Sequence, residues 1–140
     1  MIKNFIFVIV LGLTLYAAGS QTANAQAGKR LNSSPQAFRT FYSKFRSAVE
    51  RSDKTGVAAM TLFPFQYGFD AGNEGTMSKT QFIKRFNEIF GEPKQFFTEK
   101  NPVFSRGDGG NYIISTMDAA HLSFVKKGNT FKFSAYIVEP

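Results

Sequence analysis

At Phe63-Pro64-Phe65 the apolar pattern of this chain changes period, and that change restricts the fold more than any other feature. Before it, Phe38, Phe41, Tyr42, Phe45 and Val49 recur at intervals of three and four, the spacing that gathers side chains on one face of a helix. Ser33 or Ser34 is placed to cap that helix, Pro35 suits its first turn, and the pattern ends near Arg51. Asp53 can cap a second, shorter helix containing Val57 and Met60, in which Gly56 costs about 1 kcal/mol relative to alanine. Pro64 cannot continue a helix. From there Phe63, Phe65, Tyr67 and Phe69 alternate with period two, as in a strand covered on one face. Simple packing accounts for such alternation; a second reading makes the same rings part of a pocket wall, with Tyr67 nearest its mouth.

Asp70 to Thr76 reads as a turn-rich loop with glycines at 72 and 75. Ser78-Lys79-Thr80-Gln81 has capping-box spacing and opens a third helix whose apolar face is Phe82, Ile83, Phe86, Ile89 and Phe90, closed by Gly91 and Pro93. The C-terminal third of the chain reads as strand: Gln95 to Thr98, Val103 to Ser105, Asn111 to Met117, His121 to Lys126 and Thr130 to Val138, with Lys127-Gly128-Asn129 turning the last hairpin. Helices set apart from consecutive antiparallel strands define an α+β domain. Strict alternation in the last strand turns Phe131, Phe133, Ala135 and Ile137 toward the helices and Ser134 and Tyr136 away. It also leaves Tyr112, Ile114, Tyr136 and Val138 as an apolar outer patch.

The first 25 residues read as a secretory signal peptide: Lys3, an apolar run from Phe5 to Tyr16, and small residues at Ala23 and Ala25 before the expected cleavage. Residues 26–33 are a polar, flexible leader and residues 34–140 a single domain, large enough to bury roughly two thirds of its unfolded surface. No cysteine is present, which excludes a disulfide framework, a thiolate nucleophile and a lipidated N-terminal cysteine. Lys and Arg number 17 against 10 Asp and Glu, and only Lys3 leaves with the signal. The excess is dispersed, with Arg39 and Arg46 on one flank of the first helix, Lys44 and Arg51 on the other, and Lys84 spaced to meet Glu88. A solvated basic surface is therefore expected, and no specific nucleic-acid site.

Chemistry-bearing groups are few. His121 is the single histidine and so the candidate base or ligand, but it lacks the HxH or HExxH spacing of a metal site, so no metal or cofactor is expected and a hydrogen-bonded structural role fits it better. Asp70 and Asp118 are the carboxylates placed to enter a cavity, or simply to solvate turns and strand ends. Asp108-Gly109-Gly110-Asn111 lacks the acidic spacing of a calcium loop and reads as a hairpin turn, and Arg106-Gly107-Asp108 matches an adhesion tripeptide by letters alone. No phosphate-binding glycine loop or nucleophile elbow occurs.

From Pro35 to Val138 the chain resembles the nuclear transport factor 2-like superfamily, and among it the small exported bacterial members. The resemblance lies in Phe38-x-x-Phe41-Tyr42-x-x-Phe45, the Phe63-Pro64-Phe65 step, Gln81-Phe82-Ile83-x-x-Phe86 and the terminal hairpin. It implies a cone: two N-terminal helices and a third packed on a curved, mostly antiparallel sheet. It departs where such folds carry a strand pair before the third helix and this chain offers one aromatic strand and a loose glycine-containing loop. The resemblance implies an exported, non-catalytic module holding an apolar or aromatic small molecule in the cone, walled by Tyr42, Tyr67, Phe86, Tyr112, His121 and Tyr136, or a protein-interaction domain. It also implies homodimerisation through the outer sheet face. One alternative is a small isomerase or hydrolase with Asp118 or Asp70 as base and Tyr112 or Tyr42 as proton donor; another is a binder of anionic envelope polymer. No membrane association is expected once the signal is removed.

Overall fold

The computed structural model describes residues 29–69, 72–98, 102–116 and 119–139. The expected signal peptide, with its cleavage site, and the first residues of the leader lie outside the described residues, as do Asp70 and Asp118.

Helix α1 spans Gln36–Glu50 and buries Phe38, Phe41, Tyr42, Phe45, Ala48 and Val49, the face given by the three-and-four spacing. Its N-cap is Pro35, one residue later than expected, because the Ser34 hydroxyl donates to the Leu31 carbonyl of a preceding 3-10 turn over Leu31–Ser33. Helix α2 spans Lys54–Ala59 and is capped as expected, with the Gly56 N–H donating to Asp53 Oδ1 at 2.8 Å. A Cβ on Gly56 would stand 2.2 Å from that carboxylate, so the residue that weakens the helix also makes room for its cap. The Ser78–Gln81 capping box is present and opens α3, Lys79–Lys84. Instead of one continuous third helix, the chain breaks at Arg85 and resumes as α4, Phe86–Phe90, ending on Gly91 at φ +52°. The break moves Glu88 from the expected Lys84 to Arg85, at 2.7 Å. That hydrogen bond holds the Glu88 carboxyl below the usual carboxylate range.

Among the described residues seven strands form one sheet: β1 Lys29–Arg30, β2 Thr61–Phe69, β3 Asn73–Met77, β4 Val103–Arg106, β5 Tyr112–Ser115, β6 Ala120–Lys127 and β7 Thr130–Val138, in the order β1-β4-β5-β6-β7-β2-β3. All neighbours are antiparallel except β2 and β7, which run parallel. The sheet is open and curved, with the helices on one face, an α+β domain as expected from the sequence. Pro64 lies between Thr61 and Gln66, where the β2–β7 register shifts, and precedes the first β3 pairing at Phe65. Its missing N–H therefore costs no ladder bond.

Three expectations are corrected. The described part of the glycine-containing loop is a strand: β3 pairs with β2 from Phe65↔Met77 to Phe69↔Asn73, so the strand pair before the third helix exists. Asn, Glu and Gly are poor strand formers, and pairing overrides propensity; a Cβ on Gly75 would stand 3.1 Å from the Tyr67 hydroxyl oxygen. Gln95 to Thr98 is a turn, which lets adjacent Phe96 and Phe97 pack toward Phe90 at 5.1 Å and Tyr42 at 6.1 Å, as a strand's alternation forbids. The leader's last residues are ordered, Lys29 and Arg30 pairing with Phe104 and Val103.

The fourth correction decides the two faces of the sheet. Phe124 pairs with Phe133 but Ser123 pairs with Ala135, which leaves Ser134 as an extra residue in β7. Its hydroxyl donates to the Ser123 carbonyl at 3.1 Å. One inserted residue reverses the facing of everything beyond it. Phe131 and Phe133 point to the helices as expected, but Tyr136 also does, and Ile137 faces out at 36 % exposure. Tyr112 and Ile114 belong to the core as well, and Val138 packs against it, so none of these four forms the expected outer patch. That face carries Val103, Ser105, Ile113, Ser115, His121, Ser123, Ala135 and Ile137 instead.

The bulge makes a direct test of side-chain facing. Tyr136→Ala should lower unfolding free energy by about 3 to 5 kcal/mol in urea titrations, and Ile137→Ala by about 1 kcal/mol or less. The reverse ranking would mean unbroken alternation through β7.

Candidate functional site

The residues expected to wall a pocket divide between the two faces of the sheet. Tyr42, Phe86, Tyr112 and Tyr136 lie in the core on the helix side. Phe38 bridges Tyr42 and Tyr112, at 6.0 and 4.7 Å between ring centroids, and Phe69 bridges Tyr67 and Tyr136, at 5.2 and 5.9 Å. Phe86 is apart from them, between Phe82 and Phe90. Each of these rings is in contact with a neighbouring ring. Burial disfavours the Tyr42 phenolate and pushes that hydroxyl's pKa well above the tyrosine range, with Arg46 partly opposing. Tyr67 is half-buried beneath the Arg85 guanidinium, 5.0 Å from its ring centroid.

His121 lies on the opposite face. Its Nδ1 is hydrogen-bonded to Ser115 Oγ at 2.7 Å, directly across the β5–β6 ladder, and its Nε2 is 3.3 Å from Glu139 Oε1. Hydroxyl, imidazole and carboxylate thus form a line that fixes the ring's orientation and ties the end of β7 to β6. The row it occupies on the sheet runs Gly68, Ile137, His121, Ser115 and Val103. Asp70 and Asp118, the expected bases, lie outside the described residues, so their distances to Tyr42 and Tyr112 have no place in the geometry. The described residues contain no cluster of three or more metal-ligating side chains.

Space for a small molecule occurs elsewhere. A groove of about 310 Å³ opens along the flank of α1, between it, the C-terminal end of α2 and the β6–β7 hairpin. Three elements build it for separate reasons. The α1 spacing that buries Phe38 and Phe45 carries Ala37, Thr40 and Lys44 along the edge of the apolar stripe. Gly128, at φ +57°, makes the tight turn that brings Asn129 and Thr130 to the rim. Met60 ends α2, and its carbonyl accepts from the Phe133 N–H at 2.8 Å, holding that end against β7. Phe41 and Phe131, 5.7 Å apart between centroids, form the floor with Met60. Lys132 is anchored by donating to the Ala59 carbonyl at 2.6 Å.

Sequence reasoning put Lys44 on a helix flank and a turn at 127–129 but did not join them. The contact spans most of the chain, and no local pattern encodes it.

No family model matches the chain, and no curated protein matches it. Among solved structures it is similar to the 1.8 Å structure of Aln2 from a Streptomyces species, with a TM-score of 0.47 and 12% identity over 74% of this chain and 87% of that one.

Tyr42 generates a pH prediction. Its proton is held in the folded state, while the unfolded chain releases it above about pH 10, so folding loses stability as pH rises beyond that value. Between about pH 7 and about pH 11 the wild type should lose about 1 kcal/mol more unfolding free energy than Tyr42→Phe, measured by urea titration at each pH. Equal losses would mean that the phenol ionises normally in the fold.

Proposed function

We propose that this chain is an exported, non-catalytic binding module of the nuclear transport factor 2-like superfamily that takes an apolar or aromatic small molecule. The fold assignment is supported by the order of elements: a long aromatic helix, a short one, a strand pair, a third helical segment and a run of antiparallel strands. Export is supported by the charged, apolar and small-residue segments of the first 25 residues. Among the described residues no helix is long and apolar enough to cross a membrane.

The observation that carries the binding reading is the groove, whose volume reaches the lower end of small-molecule sites and whose floor is two phenyl rings and a thioether. It is open to solvent, whereas the interior rings around Tyr42 and Tyr112 are mutually packed. On this reading the ligand lies on the flank of α1. Ring faces favour an aromatic guest through offset or edge contacts, and Met60 adapts to its outline.

A neutral aromatic probe, 2-naphthamide, titrated into labelled protein should shift amide signals at Phe41, Met60 and Phe131. Ala37→Trp, at an exposed helix position, should fill the groove and abolish those shifts with little change in thermal stability. Shifts gathered instead around Tyr42, Tyr112 and Tyr136 would return the ligand to the interior, and none at millimolar probe would end the reading. For export, the mass of protein recovered outside the cytoplasm should correspond to a chain beginning at Gln26.

A further inference from the structure

The groove has a charge as well as a shape. Lys44 from α1 and Lys132 from β7 line it, and among the described residues no Asp or Glu does. Lys126 and Lys127 stand across the β6–β7 ladder from the lining residues Phe131 and Thr130. The ion pairs among the described residues join other groups: Arg46 with Glu50, Arg85 with Glu88 and His121 with Glu139. Several other cations lie over rings, Arg46 on Phe97, Lys54 on Phe86, Arg85 on Tyr67 and Arg106 on Tyr112. The lysines of the groove have neither kind of partner among these.

From this we infer that the ligand is a small organic anion, its aromatic or short apolar body on Phe41, Met60 and Phe131 and its carboxylate between Lys44 and Lys132. The inference rests on the reading of the groove as the ligand site. Lys132 spends one ammonium hydrogen on the Ala59 carbonyl, which fixes the head group and leaves two donors for an incoming oxygen. An anion between two lysines forms charge-assisted hydrogen bonds and removes their mutual repulsion, gains that a neutral guest cannot supply. Thr40, Asn129 and Thr130 offer further donors at the rim. The volume of about 310 Å³ suits a compact two-ring body with one head group.

Three isosteres separate charge from shape: 2-naphthoate, neutral 2-naphthamide and cationic 2-naphthylmethylammonium, each titrated calorimetrically into the full domain at low and high salt. The naphthoate should bind about tenfold more tightly than the amide, and the ammonium compound should not bind measurably. Lys44→Gln combined with Lys132→Gln should remove the naphthoate's advantage, leave the amide's affinity unchanged and leave thermal stability nearly unchanged; Ala37→Trp should abolish both. Equal binding of naphthoate and amide, indifferent to the lysine substitutions but lost in Ala37→Trp, would overturn the anion inference and keep the groove. Absence of binding by all three would overturn both readings. Retention of alginate that naphthoate cannot displace would overturn the small anion in favour of a polymer.

Discussion

One ring holds the layers of this protein together. Phe133 meets Phe45 of α1, Phe65 of β2, Phe82 of α3, Phe90 of α4 and Phe124 of β6, all with centroids within 6.5 Å. Each contact adds only a modest amount beyond the area it buries, but a single side chain shared by three helical segments and two neighbouring strands couples their positions. Phe38 acts similarly at the other end of α1, touching Phe104, Tyr112, Phe124 and Phe131. Aromatic packing thus supplies the cross-linking that some small domains obtain from disulfides, which this chain has no cysteine to form.

The bulge at Ser134 follows from that arrangement. Phe131 and Phe133 must face α1, while β7 must continue beside β2 with Tyr136 reaching Phe69 and Phe96 on the same side. An unbroken strand cannot point residues 131, 133 and 136 to one face; one extra residue allows it and bends the strand. The consequence reaches the outer face, which receives Ala135 and Ile137 between the serines and His121 and is less aromatic than strict alternation requires. The groove lies between α1 and the β6–β7 hairpin, where Phe41 and Phe131 meet. Its walls are the 15-residue helix α1 and a paired hairpin, both packed into the core on their other side. A site built on such elements is held in shape before any ligand arrives.

The residues that carry local signals were readable from the chain itself. The three-and-four spacing from Phe38 to Val49, the Asp53 cap, the Ser78–Gln81 capping box and the turn at Gly128 each involve neighbours in sequence, and each has its expected form. The break at Arg85 and the strand over Asn73–Met77 were not readable, because the first answers to packing around Phe82, Phe86 and Phe90 and the second to a partner strand. The candidate site was the least legible part. Aromatic and titratable residues drew attention to Tyr42, Tyr112, Tyr136 and His121, yet burial claims the first three and the opposite sheet face the fourth. Lysines, threonines and an alanine, unremarkable in any local window, form the open surface instead.

By itself the sequence determined that two helices precede the aromatic strand β2, that the domain is α+β, and that its interior is a stack of rings, because periodicity and capping act over a few residues and need no distant partner. Tertiary structure alone decided which face Tyr136 takes, that β2 lies parallel to β7, and that Lys44 and Lys132 line one groove. Those outcomes depend on register and on contacts between segments far apart in the chain, where a shift of one residue exchanges inside for outside.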